Sequence, residues 1–283
     1  MKTLNLALIG ALTGIAALSL SAPAFADDHD GASDALAQVL AHERRDEDRA
    51  RDQYRNPAET LAFFQVEPDH VVAEYGPGGG WYTRVLAPYV IEEGTYIAIN
   101  RDSDGRAYPN RAAEARSKAW TERFQDAIVE MMDVEAEEAI AFETDEVPED
   151  FAGSVDRVLI FRSMHGLING NVADEVLRSV RGMLTDDGLV GVVQHRAKAN
   201  ASWDDVNPAP GYVRQADVVK LFEINGFELV DSSEVNANPN DPADWEGGVW
   251  TLPPVLRFGD ENREQYLAIG ESDRMTLLFR KAD

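Results

Sequence analysis

The stretch that decides the fold reads Glu74-Tyr75-Gly76-Pro77-Gly78-Gly79-Gly80, directly after Val71-Val72-Ala73. An apolar run of this length, closed by an acidic residue and alternate glycines, predicts a buried strand over 71–75. The strand should lead through a glycine turn into a helix over 81–89. Such turns bring backbone N–H groups close to a polar or anionic ligand. A dinucleotide fingerprint of the G-x-G-x-x-G type would need a small residue at 81, where helix and strand pack tightly. Trp81 stands there, which argues against a nicotinamide-dependent oxidoreductase.

Outward from the turn, apolar runs and amphipathic stretches alternate, as in a parallel α/β sheet. Strands are expected over 95–99, 140–142, 155–161, 189–194, 227–235 and 274–279. Helices are expected over 112–131 (one or two), 172–184 and 213–224. Upstream, residues 27–55 are polar and charged, with Leu36, Val39 and Leu40 as their apolar stripe, and read as an exposed helix. Asn56-Pro57-Ala58-Glu59 reads as a helix start, Asn56 capping, Pro57 in the first turn and Glu59 reaching back. Between the last two strands, residues 236–273 form an excursion too long for a hairpin connection. Its Trp245, Trp250, Val249, Leu252, Val255 and Leu256 predict a packed insertion.

Residues 1–26 read as a secretory signal. Lys2 precedes an apolar stretch from Leu4 to Leu20, and Ala24-Phe25-Ala26 offers a small-residue cleavage site. The expected location is therefore periplasmic or secreted, and no later segment is long and apolar enough to span a bilayer. The expected organisation is a signal over 1–26, a charged helical segment over 27–55 and one domain over 56–283 that carries the insertion 236–273. The chain has no cysteine, so no disulfide supports the exported fold. Its net charge of −25 makes nucleic acid and anionic lipid poor partners. Five lysines stand against 21 arginines, a balance that fits a salty medium.

The pattern [DE]-x-G-x-G-x-G at 74–80 resembles the S-adenosylmethionine loop of class I methyltransferases. Further stretches resemble a family of exported bacterial methyltransferases of unassigned substrate. These are Tyr54-Arg55-Asn56-Pro57-Ala58-Glu59-Thr60-Leu61, Gly78-Gly79-Gly80-Trp81-Tyr82-Thr83, Gly247-Gly248-Val249-Trp250-Thr251-Leu252-Pro253-Pro254 and Glu271-Ser272-Asp273-Arg274-Met275-Thr276. The resemblance implies a Rossmann-like sheet of order 3-2-1-4-5-7-6 whose seventh strand alone is antiparallel. It implies S-adenosyl-L-methionine as cofactor, held by Glu74, Gly76, Pro77, Gly78, Gly79, Gly80 and Trp81. In most such proteins an acid ends the second strand and accepts the ribose hydroxyls. Here Asn100 occupies that place, with Asp102 two residues on.

His165 and His195 follow the fourth and fifth strands, which the implied sheet order makes neighbours. Both should lie at the carboxyl edge where ligands bind, as candidates for the base that takes the acceptor's proton. The bland alternative has each imidazole bonding a nearby carbonyl. Two histidines and a carboxylate can also hold a metal, but no spacing fixes such a site and none is expected. Trp81, Tyr82, Trp245 and Trp250 either line an acceptor pocket or pack the core. Arg51 and Arg55 either reach a carboxylate of a ligand or pair with Asp46 and Asp52 on the surface. The function expected is methyl transfer to a small-molecule acceptor. The alternative is a non-catalytic protein that binds a small ligand on the same fold.

Overall fold

The computed structural model describes residues 29–283 except 105, 133 and 203–208. The secretory signal expected over 1–26 lies outside the described residues. In chain order the elements are α1 (His29–Ala41), α2 (Asp52–Arg55), α3 (Pro57–Phe63), β1 (Val71–Tyr75), α4 (Thr83–Val90), β2 (Thr95–Asn100), α5 (Arg111–Lys118) and α6 (Trp120–Met132). There follow β3 (Ile140–Glu143), β4 (Val155–Phe161), α7 (Met164–Asn169), α8 (Ala173–Met183), β5 (Leu184–His195), α9 (Gln215–Ile224), β6 (Phe227–Ser233), α10 (Arg263–Ile269) and β7 (Arg274–Lys281). Among the described residues no helix is long and apolar enough to cross a membrane.

The strands form one seven-stranded sheet of order β3-β2-β1-β4-β5-β7-β6. β7 runs antiparallel to both its neighbours, and the other pairings are parallel. A parallel sheet must be covered on both faces, and here each face has its own apolar cluster. One includes Ala73, Ile97, Ile160 and Val192 with α8 and α9. The other includes Val72, Tyr96, Leu159 and Val193 with α3 and α4. Strand periodicity sets this division, since successive side chains point to opposite faces. Glu74 therefore shares a face with Val72 and points at α4.

The segment upstream of β1 is docked rather than exposed. Leu36 of α1 is buried in the same cluster as Leu61, Phe64 and Trp81. The Phe64 ring lies where a side chain at Gly191 would stand, with a Cβ there only 2.6 Å from the ring. Glycine in the middle of β5 is thus what lets α3 sit on the sheet. Asn56 does not cap α3 through its side chain. It adopts a left-handed conformation (φ 39°), and its Nδ2 donates to the carbonyl of Val235 at 2.6 Å. Pro57 does occupy the first turn.

The expected 112–131 region is two helices, broken at Ala119 after α5. α7 was not legible in the sequence, because six residues carry too little periodicity to register. The insertion is packed. It contains a short 3-10 helix, Gly248–Thr251, as well as α10, and buries Val249 and Leu252.

Candidate functional site

At the carboxyl end of β1 the chain turns through three glycines with positive φ: Gly76 at 59°, Gly78 at 60° and Gly80 at 73°. Each takes a backbone shape that costs an L side chain about 1 kcal/mol or more. The turn is tied down at both ends. Gly76 N–H donates to the carbonyl of Ile99 at 2.8 Å, and Gly80 N–H to that of Pro77 at 3.0 Å. Between them, the N–H groups of Gly78 and Gly79 have no hydrogen-bond partner among the described residues.

Space divides the four glycines in the same way. A Cβ on Gly76 would stand 3.2 Å from Ser163 Oγ, and one on Gly80 would stand 2.9 Å from Met131 Sδ. A Cβ on Gly78 would meet only the Gly76 carbonyl at 4.0 Å, and one on Gly79 would meet nothing within 4 Å. The middle of the turn therefore combines unpaired N–H groups with open space at its Cβ positions. A cleft of about 250 Å³ lies there, between Gly78–Gly79 and the α6 side chains Trp120, Arg123, Phe124 and Met131. A larger cleft of about 920 Å³ lies at the opposite edge of the sheet, beside Pro68, Asp69, Glu92 and Glu93. None of its lining residues belongs to the glycine turn or to the strand ends that bear the histidines.

Glu74 is bonded on the α4 side of the strand. It is 2 % exposed, and its Oε2 accepts from Tyr96 Oη at 2.7 Å and Thr83 Oγ1 at 2.8 Å. Burial pushes its carboxyl up to about 7, against the lowering effect of those two hydrogen bonds. Glu74 braces β1, β2 and the start of α4 behind the turn.

Trp81 also departs from its expected place. It is buried between Arg45 and Arg55, whose guanidinium carbons lie 5.1 and 4.5 Å from the ring, and its Nε1 donates to the carbonyl of Asp48 at 3.3 Å. Tyr82 stacks on Phe161 with ring centroids 3.5 Å apart. Both aromatics fasten the N-terminal segment to the sheet and do not line the glycine cleft. Pro77 lies within the turn as expected. Its carbonyl accepts the Gly80 bond.

Asn100 ends β2, and its Oδ1 accepts from the N–H of Arg101 at 3.0 Å. Two residues on, the carboxylates of Asp102, Glu143 and Asp145 lie within 4.8 Å of one another. Glu143 Oε2 accepts from the N–H of Ser103 at 2.7 Å, while its buried Oε1 has no partner among the described residues. Burial raises the Glu143 carboxyl, opposed by the bonds from Ser103.

The two histidines do meet. Their ring centroids are 5.8 Å apart, and Trp250 stands edge-on to His165 at 5.9 Å. His165 Nδ1 lies 3.3 Å from Gln194 Nε2, and His195 Nδ1 lies 2.5 Å from Ser272 Oγ. Their Nε2 atoms have no partner among the described residues. Burial lowers both imidazoles, and Arg162 lowers both further; for His195 the drop is large, with Arg274 adding to it. Both are therefore neutral proton acceptors near pH 7. The charged side chains acting on the pair are cationic.

Behind the histidines, sequence reading missed a set of charges. Arg51 and Arg55 do not pair with Asp46 and Asp52. Those acids bind Arg49 and Arg45 instead. Arg51 and Arg55 reach Glu271, as does Arg274. Trp245 proves structural, its Nε1 donating to buried Asp241 at 2.8 Å.

No family model matches the chain, and no curated protein matches it. Solved structures do. A putative sarcosine dimethylglycine methyltransferase from Galdieria sulphuraria is 14 % identical over 87 % of this chain and 90 % of its own, with a TM-score of 0.50. A SAM-dependent methyltransferase from Aquifex aeolicus is 17 % identical over 71 % of this chain and 93 % of its own, at 0.47. A Burkholderia thailandensis 1,6-didemethyltoxoflavin-N1-methyltransferase, solved with that compound and S-adenosylhomocysteine, is 13 % identical over 93 % and 94 %, at 0.41. At these identities the likeness is one of fold. The chain has the Rossmann-like, seven-stranded fold found in class I methyltransferases.

Proposed function

We propose that the glycine turn binds S-adenosyl-L-methionine and that the chain transfers its methyl group to a small-molecule acceptor. The observation that carries this reading is the turn itself. Its two middle N–H groups are unpaired among the described residues, and the turn has open space at Gly78 and Gly79, at the end of β1 beside the central strand β4. Backbone donors in a glycine cradle suit the carboxylate of an amino-acid moiety. Asn100 and Asp102 are placed to accept from ribose hydroxyls, with Asp102 supplying the charged acceptor that Asn100 lacks.

The cofactor, when bound, supplies a methyl group already activated on a sulfonium, so little covalent chemistry is left to the protein. The chain's residues bind, orient and accept a proton. His165 lies in the first turn of α7, just after the β4–α7 connection whose Ser163 stands beside Gly76. With Nδ1 beside Gln194 and Nε2 open, it is the residue we assign to take the acceptor's proton. His195, tied to Ser272, keeps the second imidazole neutral beside it. The leader-like residues 1–26 and the likeness to exported methyltransferases support a periplasmic or secreted location.

Gly78→Arg tests the site. Its side chain would project into the open cleft without meeting the protein, so the variant should fold, with about 1 kcal/mol lost to the left-handed backbone. It should bind S-adenosylhomocysteine at least tenfold more weakly than wild type. Equal affinity in a folded variant would remove the turn from the site.

A further inference from the structure

Arg51, Arg55, Arg162 and Arg274 gather around a single carboxylate. Glu271 accepts from Arg51 Nε at 2.6 Å, Arg274 Nη2 at 2.7 Å and Arg55 Nε at 3.2 Å. Arg162 joins electrostatically, its charge acting on Arg55, Arg274 and Glu271. Arg55 is 0 % exposed, Arg274 2 % and Glu271 4 %.

One acid balances one of these four cations. The imbalance shows in the donors: Nη1 and Nη2 of Arg55, Nη2 of Arg51 and Nε of Arg162 are buried with no partner among the described residues. Water can satisfy a donor but brings no charge, and uncompensated buried cations are costly. The protein as a whole carries −25, so carboxylates are abundant elsewhere, yet among the described residues only Glu271 pairs with these arginines. Arg162 moreover holds a left-handed backbone (φ 54°), a strain that non-glycine residues keep mostly where function requires it.

The cluster adjoins the histidines. Arg162 leads into His165, and Ser272, next to Glu271, bonds His195. Arg162, Arg274 and Arg55 all act on the His195 imidazole. Guanidinium groups match the planar or tetrahedral oxygens of carboxylate and phosphate, and several converging on one point form an anion receptor.

We propose that this cluster is an oxyanion-binding site, which takes a carboxylate or phosphate group and so makes the acceptor an anionic small molecule. The acceptor role rests on the methyl-transfer reading above; the anion site does not. An anion placed there supplies the missing charge and leaves the rest of the molecule beside His165 and the edge of Trp250.

The test is direct binding to the purified chain, with no adenosyl compound present, of inorganic phosphate and separately of benzoate. Calorimetry and the thermal unfolding midpoint are read at ionic strength matched with sodium chloride. Saturable one-to-one binding of either anion, with a raised midpoint, is expected; phosphate alone assigns a phosphate-bearing ligand and benzoate alone a carboxylate. Arg162→Gln, which breaks no hydrogen bond, should weaken that binding at least tenfold, and so should Arg51→Gln at the partly exposed rim. Failure of both anions to bind wild type beyond the chloride control would overturn the proposal. So would unchanged affinity in both folded variants. A parallel titration with S-adenosylhomocysteine separates the two readings, since either ligand's failure leaves the other's result standing.

Discussion

Glu74 is the acid of the turn's sequence pattern, and the structure gives it a structural task. Its carboxyl titrates at about 7 because it is buried, well above the ordinary 4.5. The folded state thus holds this proton more tightly than the unfolded chain. Between about pH 4.5 and 7 its contribution to stability falls as pH rises, by up to about 3 kcal/mol when complete. Glu74→Gln keeps an acceptor for Tyr96 and Thr83 but cannot ionise. Thermal midpoints taken near pH 5 and pH 8 should fall less for the variant than for wild type. Parallel losses would mean that Glu74 ionises in the fold without cost. Sequence placed this acid correctly at the strand end, yet the side chain's direction follows from strand alternation and from what α4 and β2 present to it. The same limit applied to Trp81, whose size argues against a dinucleotide fingerprint but which owes its position to Arg45 and Arg55. The glutamate that holds Arg51 lies 220 residues away, a separation no local pattern spans.

At the scale of elements, the strands were legible because apolar runs bounded by glycine and polar turns leave few alternatives. The β3 segment, four residues long, was the weakest and is present. The insertion was legible as packed, from its tryptophans, but its organising residue was not. Asp241 is 0 % exposed and accepts from Tyr212 Oη at 2.8 Å, Trp245 Nε1 at 2.8 Å and the N–H groups of Ala243 and Asp273 at 2.9 and 2.8 Å. This one carboxylate ties the loop after β5 to both ends of the insertion. Asp241→Ala would leave four donors unpaired, two of them in buried bonds, and should cost about 2–4 kcal/mol. Because the insertion carries Trp250 and ends at Glu271, the change should also weaken oxyanion binding. Unfolding by denaturant, followed through tryptophan fluorescence, measures the loss. A change below about 1 kcal/mol would show that water replaces the carboxylate.

Across the molecule, the fold brings three distant stretches to one edge of the sheet. The N-terminal segment delivers Arg51 and Arg55, the ends of β4 and β5 deliver Arg162, His165 and His195, and the insertion delivers Trp250 and Glu271. Beside them lies the glycine turn with its free backbone donors. An acidic surface around a cationic pocket would let an anionic ligand bind in one place while repelling it elsewhere. The methyl-transfer reading of this arrangement depends on the turn holding the methyl donor. Calorimetric titration of the folded chain with S-adenosylmethionine, S-adenosylhomocysteine and NAD measures that directly. Saturable heat with both adenosyl compounds and none with NAD is the expected result. No heat with either adenosyl compound would contradict it.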